Sequence, residues 1–90
     1  MTLPYKTCHI TQQVASLIRE AAGDFKMAIG LGDKLMDDLQ LSSIDIMYML
    51  TLVEQDMHVT VPQVFINSIS GTTTVNDVVN LVIKLKENGN

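Results

Sequence analysis

The sequence predicts a small all-α protein: a four-helix bundle of three main helices and one short helix, with a long loop between the first two. Three observations predict it. Apolar residues recur at the i, i+3, i+4, i+7 spacing of an amphipathic helix in three separate segments. Two of these segments, beginning near Ser42 and Thr74, open on a capping box. The one stretch with strand-like alternation, His58-Val59-Thr60-Val61, has no evident partner strand elsewhere.

Composition bounds the answer further. The chain has 90 residues, 47% of them hydrophobic, and reads as a single domain over 1–90 able to build a core. Ten acids stand against six bases, a net charge of −4. That argues against nucleic acid, which needs a basic face, and weakly favours basic protein partners. The single Cys8 allows no internal disulfide. No secretory signal and no stretch of membrane-spanning length is present, so a cytoplasmic setting is expected and a membrane role is not. Six methionines and no tryptophan imply a soft core, or a cavity with room for a flexible ligand.

Taken in order, residues 1–10 read as a lead-in, because Pro4 disfavours an early helix, although a first turn would tolerate it. The first helix is expected over about Thr11 to Ala22. Val14, Leu17, Ile18 and Ala21 form its apolar face, and Gly23-Asp24 ends it. Residues 23–41 have no period and are punctuated by Gly23, Gly30 and Gly32. Their many hydrophobes, from Phe25 to Leu41, predict a loop packed across the helices.

The second helix is expected over Ser43 to about Asp56, with Ile46, Met49, Leu50, Val53 and Met57 as the core stripe. Ile44, Met47, Tyr48 and Leu52 carry apolar surface well beyond that stripe, which predicts a face around Ile44, Met47 and Tyr48 offered to a partner. His58 to Pro62 is a connector. Pro62 opens a short third helix to about Asn67, with Val64, Phe65 and Ile69 inward. The last helix follows from Thr74, with Val75, Val78, Val79, Val82, Ile83 and Leu85 buried, and Asn88-Gly89 ends it.

The helix start at Ser42 draws the chemistry. Ser42 acts as N-cap and Asp45 reaches back from the third helical position. Ser43 then has a hydroxyl that capping leaves uncommitted, at the positive end of a helix, where an anionic group is favoured. By local pattern alone this is a helix start and nothing more. A catalytic reading finds no constellation. Asp37 and Asp38 are adjacent, His9 and His58 lack a nucleophile, and Ser43 has no sequence-local base. Cys8-His9 does not have metal-ligand spacing, so no metal site is expected.

From Asp38 onward the chain resembles an acyl carrier protein. That family carries Asp-Leu-Gly-x-Asp-Ser-Leu-Asp at the start of its second helix. Here Asp38-Leu39 and Asp45 match in place, Ser43 falls on the serine that the family modifies, and Ile44 replaces its leucine. The spacing holds without a gap through Glu54, Met57, Val61 and Pro62, and Thr73-Thr74-Val75 suits the entry to the last helix. The chain departs from the pattern at Ser42, in place of the motif's acid, and at Gln40, in place of its glycine. Met47 and Tyr48 stand where the family commonly has a hydrophobe and an acid. Ser42 as attachment residue is the alternative; Asp45 and the ungapped match favour Ser43. The Leu-Gly-Gly-x-Ser-Leu of peptidyl carriers is absent, which favours acyl over aminoacyl cargo.

The resemblance implies a non-catalytic, monomeric carrier. A phosphopantetheinyl transferase would move 4′-phosphopantetheine from coenzyme A onto Ser43. The terminal thiol would hold acyl groups as thioesters for acyl-loading, ketosynthase-type or acyltransferase enzymes of fatty acid, polyketide or specialised lipid synthesis. Ile44, Asp45, Met47, Tyr48 and Glu54 would meet those partners. The alternative is an unmodified helical interaction module that keeps the fold without the cargo.

Overall fold

The computed structural model describes the backbone of residues 3–89 and the side chains of residues 9–87. It is an all-α four-helix bundle: α1 (Leu3–Ala22), α2 (Ser43–Met57), α3 (Gln63–Ser68) and α4 (Val75–Gly89). α1 packs against both α2 and α4. Between them lies one core, in which Val14, Ile18, Leu35, Met49, Val53, Val75, Val78 and Val82 are fully enclosed.

α1 starts at Leu3 rather than near Thr11. Pro4 falls in the first turn, where its missing N–H breaks no intrahelical bond. Ile10, one turn before Val14, is buried with Val14, Leu17, Ile18 and Ala21, so the apolar face begins before the expected boundary. The expectation for Cys8 concerns a side chain outside the described ones. At the other end Gly23 adopts a left-handed φ of 74°. Its amide donates to the Glu20 carbonyl and the Asp24 amide donates to the Arg19 carbonyl, a Schellman closure.

The α1–α2 loop is strapped to the bundle. Leu35, Leu39 and Leu41 are buried, and Met27, Ile29 and Met36 pack against the core, whereas Phe25 and Leu31 face solvent. The Arg19 Nε donates to the Met27 carbonyl at 2.8 Å. An isolated antiparallel bridge joins Lys34 to Thr74, with the Leu35 amide donating to the Thr73 carbonyl and the Val75 amide to the Asp33 carbonyl, each at 2.9 Å. These bonds tie the loop to the entrance of α4. They also satisfy amides there that no preceding turn of helix could satisfy.

α2 buries the expected stripe, Ile46, Met49, Leu50, Val53 and Met57. It ends at His58, which is left-handed with φ 57°. α3 begins after Pro62, which is its N-cap rather than its first residue. Val64 was expected inward and is 80% exposed. Phe65 and Ile66 of α3, with Ile69 at its C-cap, pack on the core, and Val64 lies across the helix from them. α4 buries Val75, Val78, Val79 and Val82, while Ile83 and Leu85 are only half-buried. Among the described residues no helix is long and apolar enough to cross a membrane.

Candidate functional site

The entrance to α2 is built by its own four residues. Ser42 has extended backbone (φ −79°, ψ 170°), the geometry that lets an N-cap turn its side chain onto the helix. Its hydroxyl accepts from the Asp45 amide at 3.1 Å, and the Asp45 carboxylate accepts from the Ser42 amide at 3.1 Å. Both halves of the capping box are therefore present. The Ser42 hydroxyl is occupied in holding the helix, and the half-buried Asp45 carboxylate is turned back on the cap.

Ser43 is the first residue of α2 and is exposed. Its hydroxyl has no hydrogen-bond partner among the described residues. Ser43 also lines a cleft of about 150 Å³ with Met36, Ile46, Met47, Ile66 and Ile69. The other side chains that line it are apolar, although the cleft is open and part of its surface is polar. The arrangement thus joins an uncommitted nucleophilic oxygen, the positive end of a 15-residue helix and a small apolar recess.

Two features before the site were not visible in the local pattern. Gln40 has a left-handed φ of 58°, a conformation in which a Cβ crowds the backbone. The Asp38 carboxylate accepts from the Lys34 amide at 2.7 Å and caps the turn over 34–38. Adjacent Asp37 is exposed.

The residues expected to meet partners separate into two groups. Ile44, Met47 and Tyr48 are exposed on the outer side of α2. Glu54, seven residues after Met47, shares its side of α2 but is not exposed. It is half-buried, and its carboxylate accepts from the Val61 amide at 2.8 Å, binding the connector to the helix. A larger cleft of about 460 Å³ is lined by Phe65, Ser70, Thr72, Asp77, Asn80 and Lys84 among others. None of its lining residues is shared with the smaller cleft, which is the one that contains Ser43. No three His, Cys, Asp or Glu side chains converge on a common point among the described residues.

No family model matches the chain, no curated protein matches it and no solved structure matches it.

Proposed function

We propose that the protein is an acyl carrier, with Ser43 as the attachment point for 4′-phosphopantetheine. The observation that carries this reading is the division of labour between two adjacent serines. Ser42 Oγ holds the Asp45 amide, and Ser43 Oγ is left exposed and unpaired at the helix start.

The residues fit the group. A phosphodiester on Ser43 would lie at the N-terminus of α2, where the exposed amide ends and the helix dipole favour negative charge. The neutral cap at Ser42 adds no like charge beside it. The backbone agrees with the resemblance at one more point: Gln40, at the position of the motif's glycine, is left-handed, which is where glycine is preferred. When attached, the arm supplies a terminal thiol that holds an acyl group as a thioester. The chain's own part is to present Ser43 Oγ, to hold it in register through the capping box, and to offer the recess of Met36, Ile46, Met47, Ile66 and Ile69 to apolar cargo.

The test is co-expression with a broad-specificity phosphopantetheinyl transferase followed by intact-mass measurement. One phosphopantetheine should add, Ser43→Ala should abolish the addition and Ser42→Ala should retain it. Addition that survives Ser43→Ala moves the attachment to another residue, Ser42 first. No addition with several transferases favours an unmodified interaction module, for which the exposed Ile44, Met47 and Tyr48 would be the working surface.

A further inference from the structure

Met47 is the exposed methionine among the described residues. It is 49% exposed, whereas Met27 and Met36 are half-buried and Met49 and Met57 are enclosed. It stands one turn of α2 after Ser43, and the two line the same small cleft with Met36, Ile46, Ile66 and Ile69. Residues four apart on a helix are surface neighbours, with Cβ atoms about 6 Å apart. A long helical side chain runs back toward the N-terminus over the preceding turn, which for Met47 is the turn of Ser43. A flexible thioether open to solvent is thus held beside the hydroxyl that capping leaves unpaired.

Resting on the carrier reading, we propose that Met47 is a reversible oxidation site that switches Ser43 off. In the reaction with hydrogen peroxide, the sulfur attacks one peroxide oxygen, an S–O bond forms and the O–O bond breaks. The proton of the transferred oxygen passes to the departing hydroxide, which leaves as water. The thioether becomes a sulfoxide, oxidised by two electrons, and the peroxide is reduced. A thioether sulfur is a weak hydrogen-bond acceptor, and a sulfoxide oxygen is a polar one. It accepts from the Ser43 Oγ–H one turn away. Phosphopantetheine transfer needs that proton removed as Oγ attacks, and a sulfoxide holds it without the basicity to take it. The same oxygen sets a polar group among the side chains of Met36, Ile46, Ile66 and Ile69, which weakens the cleft for apolar groups. Met47 lies outside the core cluster, so the switch acts without unfolding the bundle.

The test treats the unmodified full chain with hydrogen peroxide, removes the excess with catalase and maps the added oxygen by peptide mass. Met47 should be oxidised ahead of Met27 and Met36, with Met49 and Met57 last. A phosphopantetheinyl transferase with coenzyme A then acts on the oxidised and the untreated chain. Oxidation at Met47 should lower kcat about two- to tenfold, the factor one hydrogen bond is worth, with KM and the unfolding midpoint unchanged. Methionine sulfoxide reductase with dithiothreitol should restore kcat, and Met47→Leu should have the same kcat before and after peroxide. Earlier oxidation of Met27 or Met36, an unchanged kcat, or a rise in KM alone overturns the switch. So does a loss that the reductase does not reverse or that persists in Met47→Leu. In each of these cases modification of the untreated chain at Ser43 leaves the carrier reading standing. No modification of the untreated chain overturns the carrier reading and the switch with it.

Discussion

The Glu54 carboxylate accepts a hydrogen bond from the Val61 amide at 2.8 Å, joining the middle of α2 to the connector that precedes α3. Val61 is buried, so its amide has no ready access to water and depends on this acceptor. Glu54→Ala should therefore cost about 1.5–3 kcal/mol, the range for losing a charge-assisted bond and leaving a buried donor unpaired. Glu54→Gln keeps an acceptor oxygen and should cost less than half of that. Urea unfolding of both variants checks the order. Modification at Ser43 should be unaffected in the folded fraction, because the Glu54 carboxylate is bound to the Val61 amide and stands about three turns of helix from Ser43.

The two serines of the capping box should separate cleanly. Ser42→Ala removes the acceptor for the Asp45 amide and should destabilise the protein by about 1 kcal/mol, whereas Ser42→Asp restores a cap and should be near neutral. Ser43→Ala removes no hydrogen bond and should leave the unfolding midpoint unchanged. Thermal melts of the three variants measure this. A large loss in Ser43→Ala would show that its hydroxyl is not free.

Gln40 holds a left-handed conformation that glycine adopts without strain. Gln40→Gly should stabilise the fold by about 0.5–1 kcal/mol, the relief of strain exceeding the added freedom of the unfolded chain. Gln40→Val, with a branched Cβ at the same backbone, should destabilise it. Chemical denaturation of the pair against the parent gives the sign.

No basic residue lies in the last turn of α2, and the Lys86 ammonium reaches across from α4 to the Met57 carbonyl at 3.0 Å. It is a cation at the negative end of a helix, donated by another helix. Lys86→Met should cost about 0.5–1 kcal/mol, reduced by its exposure to solvent. The loss should shrink in high salt, which distinguishes this bond from packing by the lysine stem.

The cleft beside Ser43, about 150 Å³, matches in size an apolar cavity able to hold a benzene ring. If Ser43 carries acyl thioesters, chains of up to about six carbons should raise the unfolding midpoint progressively, and longer ones should add little. Ile69→Phe, which would fill the cleft, should remove the dependence on chain length. An increase that continues through long chains would show a larger cavity than the one formed by Met36, Ile46, Met47, Ile66 and Ile69.

The sequence by itself determined what depends on residues within a turn or two of one another. Ser42 and Asp45 are three residues apart, and their capping box follows from local geometry. The buried stripe of α2, from Ile46 to Met57, follows from the helical period. The free hydroxyl of Ser43 follows from the same register. Tertiary structure decided what joins distant segments. Glu54, an acid on a helix, looked available until the connector placed the Val61 amide against it. Lys86 lies 29 residues from the carbonyl it caps. The α1–α2 loop has no period because the Lys34–Thr74 bridge and the burial of Leu35, Leu39 and Leu41 fix it, and neither repeats along the chain. Val64 turned outward because a six-residue helix has one face to give to the core, and Phe65 and Ile66 fill it, continued by Ile69 at the C-cap. The cleft beside Ser43 exists only because α3 brings Ile66 and Ile69 to the first turns of α2, a placement that no spacing in the sequence encodes.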